Sequence, residues 1–336
     1  MAVGLTGEMP PPGIEAARAR LVLEAVNRRG PILRPARRGS APGTFGIDLT
    51  AGCAHACAYC HIRGSAQFPG EGRVLYDPGT SLRREAALDA LAQLPSTVVL
   101  SPSSDPLPPL REVRAEACRV ARILLEREIS VVLMTRGRIP SALIDLFAEH
   151  PGRARVAVGL MTASRKLTRA LEPRAASPTS RLGGLARLVA ADVEVEARVE
   201  PLIPGLTDTR ESIKPLFAGL ARAGVRRVVV HYLFQHPAMA GPLATALAPY
   251  GFAERITDDF QGGPVFPVGS LGAAKHLPLE TRRDGLARLC CWGAEHGLVV
   301  ETGAAQNPDF RLRAEPVPRP SRRDEARSPD RELVGA

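Results

Sequence analysis

From Thr44 to Leu233 the chain alternates short aliphatic runs with longer amphipathic segments. The short runs are rich in Val, Leu and Ile, as is typical of parallel strands buried on both faces. This alternation predicts a parallel sheet with covering helices, either an open doubly wound sheet or an incomplete barrel. The strand candidates are TFGIDLT, STVVLS, SVVLMT, RVAVGLM, VEVEARVEPLI and RRVVVHYLF. The helix candidates are SLRREAALDALAQL, REVRAEACRVARILLERE, PSALIDLFAEH, SPTSRLGGLARLVAA and TRESIKPLFAGLARAG.

The flanking regions have less regular patterns. The N-terminal region contains a helical pattern over Gly13–Asn27 and a connector rich in Pro and Arg. After Phe234 the segment QGGPVFPVGSLGAAKH has the composition of a loop, and it is followed by a helix pattern over Leu279–His296 and a strand pattern LVVETG. We therefore predict an N-terminal extension (1–43), a central α/β domain (44–233), an irregular α/β C-terminal appendage (234–310) and a disordered tail rich in Pro and Arg (311–336).

The net charge of +9 is concentrated at the two ends, because residues 1–43 and 311–336 each contain seven Arg while the region between them is nearly balanced. These Arg-rich termini are the segments through which we expect any nucleic acid to bind. The first residues lack the basic start and apolar core of a signal peptide, and no apolar run approaches the roughly 20 residues of a membrane span. We expect a cytoplasmic protein with reduced thiols and no membrane partner.

Half of the six cysteines lie in the segment TAGCAHACAYCHIRG, as Cys53, Cys57 and Cys60. The segment follows the first predicted strand, and loops after strands line the ligand face of parallel α/β folds. Clustered thiols in a reducing compartment are more typical of metal ligands or catalysts than of disulfides. Three thiolates leave one position open on an iron–sulfur cluster. Alternatively, they bind a zinc ion whose fourth ligand is His55 or His61.

The spacing Cys-x3-Cys-x2-Cys, with Tyr59 before the last cysteine, resembles the signature of the radical S-adenosylmethionine (SAM) superfamily. The resemblance implies a partial (β/α)6 barrel, in agreement with the six predicted strands, and a [4Fe–4S] cluster held by Cys53, Cys57 and Cys60. It implies that the open iron binds the amino and carboxylate groups of SAM, and that one electron cleaves SAM to methionine and a 5′-deoxyadenosyl radical. An electron donor such as flavodoxin or ferredoxin is implied as well.

Four further segments are similar to successive strand-end motifs of the spore photoproduct lyase-like group. They are SPSSDP (101–106), LMTRG (133–137), LEPRAASPTSRL (171–182) and VEPLIPGLTD (199–208). The SAM contacts that this resemblance implies are Tyr59 at the adenine, Ser104 and Asp105 at the methionyl amine, Arg136 at the carboxylate, Gly159 through its backbone, and Glu172 and Arg198 at the ribose or methionyl part. Alternatively, Arg136 is a solvated charge, and Glu172 and Arg198 form internal ion pairs.

One position departs from the pattern of the group. In the lyase, a cysteine that returns a hydrogen atom to the product radical precedes the Ser-Asp element, whereas Pro102 stands here. We therefore do not expect repair of the spore-type thymine lesion by that route. We interpret Cys118 as a buried helix residue. The adjacent Cys290 and Cys291 have the pattern of helix residues of which at least one packs in the core, with a radical donor or a lone metal ligand as the alternative for the other.

The resemblance implies an enzyme that starts radical chemistry on an unidentified substrate. The resemblance implies substrate-facing residues after the sixth predicted strand, where His231, Tyr232 and His236 stand. Alternatively, Tyr232 is a half-buried packing residue and His236 a loop residue. The Arg-rich termini favour a nucleic acid, whereas the nearly balanced charge between them favours a peptide or small metabolite. The alternative from another class is a non-catalytic iron–sulfur or zinc protein that senses redox or metal state.

Overall fold

The computed structural model describes residues 20–27, 31–35, 41–267, 272–303 and 307–313. Most of the tail that we expect to be disordered, and the first part of the expected N-terminal helix, lie outside these ranges. Within the ranges, no helix has both the length and the apolar character that crossing a membrane requires.

The strands and helices follow the alternation that the sequence predicts between Thr44 and Leu233. The strands are β1 (Val22–Ala25), β2 (Arg34–Pro35), β3 (Thr44–Ile47), β4 (Thr50–Ala51), β5 (Arg73–Tyr76), β6 (Thr97–Leu100), β7 (Ser130–Thr135), β8 (Ala154–Gly159), β9 (Glu194–Leu202), β10 (Arg227–Tyr232), β11 (Val265–Pro267), β12 (Ala273–Lys275) and β13 (Val299–Glu301). The helices are α1 (Thr80–Asp89), α2 (Arg111–Glu126), α3 (Ser141–Ala148), α4 (Arg165–Leu171), α5 (Pro178–Ala190), α6 (Arg210–Arg222), α7 (Ala240–Leu247), α8 (Arg255–Asp258) and α9 (Leu279–Ala294). Short 3-10 helices cover His61–Gly64, Pro237–Met239, Ala248–Tyr250 and Pro308–Arg313.

The central sheet has the strand order β13-β10-β9-β8-β7-β6-β3-β2. Its six middle strands are the six predicted from the sequence, and every pair of neighbours among them is parallel. Their order follows the chain without a reversal, whereas a doubly wound sheet reverses at a switch point. The sheet is therefore the incomplete barrel of the two predicted alternatives, and the predicted partial (β/α)6 barrel is confirmed.

Two predictions outside the central sheet are wrong. The expected helix over Gly13–Asn27 contains strand β1, which pairs in parallel with β5. The expected loop QGGPVFPVGSLGAAKH contains the antiparallel pair of β11 and β12. In both cases the backbone hydrogen bonds of the segment are made by a second strand, which is remote in sequence for β1 and lies across a turn for β11. Local periodicity does not reveal such a partner.

Helix α4 is absent from the sequence prediction because it is only seven residues long and mostly polar. The predicted terminal regions also contribute to the sheet, since β2 pairs with β3 and β13 pairs with β10. Cys118 lies on α2, as expected, and is half-buried.

The outer helices pack on the sheet through a continuous apolar core. Phe217 of α6 is fully buried and lies beside Gly293 of α9. A side chain at Gly293 would collide with Val300 of β13, so this glycine allows the helix to approach the sheet edge closely. Phe217 thus fills the junction of α6, α9 and β13.

We expect Phe217→Ala to lower the free energy of unfolding by about 3–5 kcal/mol, because it leaves a cavity at this junction. Leu94→Ala is the matched control, since Leu94 is 42% exposed, and it should cost less than about 1 kcal/mol. Urea denaturation measures both values, and the single tryptophan, Trp292 on α9, provides the fluorescence signal. Equal losses in the two variants would contradict the packing described for Phe217.

Candidate active site

The cysteine loop follows β4 and curls back on itself. Cys57 is buried and Cys53 and Cys60 are half-buried, and all three line one cavity of about 270 Å³. Arg63 donates hydrogen bonds from Nη1 to the carbonyl oxygens of Cys57 and, at 3.4 Å, of Cys60. One guanidinium therefore holds the curl of the loop.

Burial raises the pKa of all three thiols in the absence of a metal. For Cys57 the pKa rises to about 12, first because of burial and then because of the nearby Glu172 carboxylate, while Arg136 opposes the shift. Metal or cluster binding at this loop must therefore displace protons from the thiols.

His55, within the same loop, is held on both sides by protein groups. Its Nδ1 lies 3.2 Å from the Arg174 carbonyl oxygen, and its Nε2 lies 3.0 Å from Oδ2 of Asp105. A zinc ion would bind one of these two ring nitrogens, and protein groups already contact both of them. Among the described residues, no three His, Cys, Asp or Glu side chains are grouped so that they could hold a single metal ion.

Asp105 organises the ends of β6 and β7. Its Oδ1 accepts hydrogen bonds from Thr135 Oγ1 at 2.7 Å and from the Leu107 amide at 2.8 Å, and its Oδ2 accepts one from the Arg136 amide at 2.7 Å. Burial alone would raise the pKa of Asp105, but His55 and these donors hold it at about 2. A carboxylate has about four acceptor sites. Thr135, the two backbone amides and His55 therefore occupy the acceptor sites of Asp105.

The neighbouring Ser104 is also held by the protein. Thr50 Oγ1 lies 3.1 Å from Ser104 Oγ and 3.0 Å from the Gly52 carbonyl oxygen, to which the Thr50 hydroxyl donates. The predicted strand-two element therefore has a fixed conformation beside the cysteine loop.

Glu172 lies behind the cavity wall, is 1% exposed and does not line the cavity itself. It accepts hydrogen bonds from the Tyr59 hydroxyl, from Arg136 Nε at 3.2 Å and from Arg181. Burial would raise the pKa of Glu172, but the two guanidiniums lower it on balance. Tyr59 and Arg136 do line the cavity, with the guanidinium 5.6 Å from the centre of the Tyr59 ring.

Gly159 lies beneath the Arg136 side chain. A Cβ atom on Gly159 would lie 2.9 Å from Cγ of Arg136 and 3.0 Å from its Cζ and Nε. The Gly159 carbonyl oxygen accepts a hydrogen bond of 2.7 Å from Arg181. The absence of a side chain at this position therefore leaves room for the arginine to cross β8.

Arg198 and Glu200, on β9, form a bidentate ion pair with both distances at 2.9 Å, and Arg198 also pairs with Glu196 at 2.7 Å. Burial would raise the pKa of Glu200, but Arg198 and Arg136 hold it at about 2. Arg198 and Glu200 both line the cavity. The internal ion pairs that we considered as alternatives for Glu172 and Arg198 are present in the structure.

His231 has a tautomer that a chain of hydrogen bonds determines. Arg282 donates to Oδ1 of Asn307 at 2.9 Å, so the Asn307 amide nitrogen points to Thr302 Oγ1, at 2.9 Å. The Thr302 hydroxyl donates to the Val230 carbonyl oxygen at 2.8 Å. The Thr302 oxygen therefore has only an acceptor site left for His231, so the 3.2 Å hydrogen bond between them is donated by a protonated Nδ1 of His231.

The remaining nitrogen of His231, Nε2, is an acceptor when the ring is neutral. It has no hydrogen-bond partner among the described residues and lies 4.0 Å from Oε2 of Glu200. Burial lowers the pKa of His231 to about 4, although the Glu200 carboxylate acts in the opposite direction. The Glu200 carboxylate therefore faces the cavity with the buried ring of His231 beside it.

The structure brings most of the predicted site residues together. Of the cofactor-binding set, Gly159 and Glu172 do not line the cavity, whereas Tyr59, Ser104, Asp105, Arg136 and Arg198 do. The cavity is also lined by four residues that were not predicted from the sequence: Glu200, His276, Met134 and Asn307. Glu200 lies in the quoted segment VEPLIPGLTD and was detectable there, but Asn307 reaches the cavity only through the folding of the C-terminal segment.

The other candidates have varied surroundings. Pro102, His231 and Tyr232 line the cavity, and the Tyr232 hydroxyl donates to Asp208 at 2.8 Å. His236 packs against Gly64, next to the cysteine loop. Both Cys290 and Cys291 lie on α9, as predicted, and do not line the cavity.

Comparison with known proteins gives consistent results. The radical SAM superfamily model matches residues 47–217. An uncharacterized protein of Mycobacterium tuberculosis is 25% identical over 242 residues, which cover 67% of this chain and 70% of the relative. A radical SAM Nalpha-GlyT isomerase of Pseudomonas phage M6 is 24% identical over 257 residues, which cover 74% of this chain and 51% of the relative.

Solved structures of spore photoproduct lyase share the fold. The lyase complexed with dinucleoside spore photoproduct has a TM-score of 0.62 at 15% identity, covering 90% of this chain and 88% of that chain. A lyase variant with bound AdoMet and the same dinucleoside has a TM-score of 0.60 at 15% identity, covering 89% and 87%. Family membership implies the use of SAM and an iron–sulfur cluster. The chain belongs to the radical SAM superfamily, as an enzyme with the spore photoproduct lyase-like fold.

Proposed function

We propose that Cys53, Cys57 and Cys60 hold a [4Fe–4S] cluster and that the enzyme cleaves SAM reductively in the adjoining cavity. The observation that carries the proposal is that the three thiols and the Arg136 guanidinium open on one cavity after the parallel strands. The donor set fits, because thiolates are the ligands of iron–sulfur clusters. Bound and reduced, the cluster would supply the single electron that cleaves SAM.

In this proposal Arg136 binds the carboxylate of SAM. Its Nε and one terminal nitrogen are held by Glu172 and by the Glu200 carbonyl oxygen. The other terminal nitrogen has no hydrogen bond to a described residue. A guanidinium fixed in this way suits a charge-assisted contact with a carboxylate. Tyr59 and Ser104 remain the proposed neighbours of the adenine and of the methionyl amine.

The cavity wall formed by Glu200 and His231 faces the substrate in this proposal. Successive contacts lead from Tyr59 to Arg136, to Glu200 and to His231, and therefore away from the cysteine loop. The Glu200 carboxylate, as a hydrogen-bond acceptor, favours a substrate with N–H or O–H donors. The proposed substrate classes remain a nucleic acid, bound partly through the Arg-rich termini, and a peptide or small metabolite.

We expect the anaerobically reconstituted protein, given dithionite and SAM, to release 5′-deoxyadenosine slowly without substrate. Cys57→Ala should abolish the release because it removes a cluster ligand, whereas Cys291→Ala, the matched control, should retain it because Cys291 is exposed. Chromatography quantifies the nucleoside. Stoichiometric zinc without a cluster spectrum would refute the proposal, and a positive result makes this assay the screen for substrates.

We expect Gly159→Ala to weaken SAM binding about tenfold, because the new Cβ displaces the Arg136 guanidinium from its charge-assisted contact. Gly183→Ala is the matched control, since nothing lies within 4 Å of a Cβ at Gly183. Equilibrium dialysis against the reconstituted protein measures the dissociation constants. If SAM binds equally well to both variants, Arg136 does not hold the carboxylate from this position.

We expect His231 to stay neutral, with its proton on Nδ1, down to about pH 4. Glu200→Gln should lower this pKa further, because it removes the negative charge that favours the imidazolium. Since burial depresses the pKa of His231 below its ordinary 6.5, its contribution to stability is present above pH 6.5 and is lost as the pH falls toward 4. Nitrogen-15 NMR of labelled histidines, assigned with His231→Asn, reads both tautomer and pKa, and a protonated Nε2 at pH 7 would contradict the assignment.

A further inference from the structure

Helix α4 covers the outer side of the cysteine loop. The carbonyl oxygen of Leu171, its last residue, accepts a hydrogen bond of 2.8 Å from the amide of Ala58, which directly follows Cys57. Leu167 and Leu171 are buried in one apolar cluster with Cys57 and Tyr59. The helix therefore packs against the loop that carries Cys53, Cys57 and Cys60, and its charged side chains lie on its exposed side.

The outward face of α4 carries three exposed cations, Arg165, Lys166 and Arg169. None of them forms an ion pair within the part of the chain that the structure describes, and residues 162–171 contain no acidic side chain. Helix α7, packed beside α4, has no ionisable side chain. Lys166 instead lies 5.7 Å from the centre of the Tyr250 ring. The charge of this face is therefore uncompensated.

Two of these cations lie where the helix itself disfavours them. Arg165 and Lys166 are in the first turn of α4, at the positive end of the helix dipole, and no acidic residue accompanies them there. These two positions do not stabilise the helix, whereas Arg169, in the last turn, is favourably placed. The three cations together suit a negatively charged surface that approaches from outside.

We propose that this α4 face, formed by Arg165, Lys166 and Arg169, is the docking surface for an acidic protein that delivers single electrons, of the flavodoxin or ferredoxin type. The inference rests on the proposed [4Fe–4S] cluster. One electron leaves the reduced flavin or iron–sulfur centre of the partner, which is oxidised by one electron, and enters the cluster, which is reduced by one electron. No bond forms or breaks in this step.

The position of α4 favours a redox partner over a phosphate ligand. Electron transfer weakens steeply with distance, and the hydrogen bond from Ala58 to Leu171 connects the helix that carries this face to the residue beside Cys57. None of the three cations lines the cavity. A partner bound here would therefore leave the cavity clear for SAM and substrate.

The test uses the reconstituted full-length protein and reduced flavodoxin as the probe. The charge-reversal variant is Arg165→Glu/Lys166→Glu/Arg169→Glu. Its control, Lys214→Glu/Arg222→Glu/Arg226→Glu, reverses three exposed cations on or just after α6, which packs on α5 and α9. Stopped-flow absorbance follows cluster reduction at low and high salt. Reduced methyl viologen, a small electron donor that needs no docking surface, reports the cluster itself.

We expect the rate with flavodoxin to fall at least about tenfold in the α4 variant and to lose its salt dependence, while the control keeps both. The rate with methyl viologen, which is a cation, should not fall in either variant, because added negative charge does not repel it. The glutamine version of the α4 variant should show a smaller loss with flavodoxin, because it removes charge without reversing it.

An α4 variant that flavodoxin reduces as fast as the control would overturn the docking proposal. Equal losses with both donors in the glutamate and glutamine versions would also overturn it, because the cations would then support the cluster site itself. If the variant loses DNA binding but not reduction by flavodoxin, the face binds phosphate instead. Absence of an iron–sulfur absorbance spectrum in the reconstituted wild-type protein would refute the proposed cluster, a separate result.

Discussion

The buried carboxylate of Glu172 connects the cysteine loop to the barrel. A fully buried charge is tolerated only when it is paired and hydrogen-bonded, and this one accepts from Tyr59, Arg136 and Arg181. Tyr59 belongs to the cysteine loop, Arg136 follows β7 and Arg181 lies on α5. Loss of any one donor would leave the buried carboxylate without one of its hydrogen bonds and would detach the cysteine loop, the end of β7 or α5 from it. The position of the loop therefore depends on all three donors.

Asp105, after β6, and Glu200, near the end of β9, are both buried and paired carboxylates, but they have different consequences for the cavity. Protein donors surround Asp105, including His55 from the cysteine loop, so that carboxylate mainly determines local conformation. Glu200 pairs with Arg198 and still faces the cavity beside the neutral ring of His231. The cavity is therefore lined by the Arg136 guanidinium near the thiols and by the Glu200 carboxylate beyond it. This arrangement suits the proposed ligand, which has a carboxylate at one end and hydrogen-bond donors elsewhere.

The two faces of the cysteine loop have separate surroundings. The inner face opens on the cavity, and the outer face is covered by α4 and by an apolar cluster that extends to α7 and α8. In the proposed function, SAM and substrate enter on the inner side while electrons arrive from the outer side. Apolar packing between them limits the access of water to the thiols, and the same burial keeps their pKa high until a metal replaces the protons.

Local patterns in the sequence were sufficient to predict the six central strands, six of the helices and the superfamily, because strand burial, helix periodicity and cysteine spacing depend on nearby residues. The strand order, β1 and the pairing of β11 with β12 were decided only by tertiary structure, because each requires partners that local periodicity does not identify. The same holds for Gly159: the sequence shows only a missing side chain, and the fold shows the Arg136 side chain that fills the space. Likewise, the tautomer of His231 depends on Thr302, Asn307 and Arg282. A hydrogen bond between residues more than 70 positions apart leaves no periodic trace in a single chain, so only folding determines it.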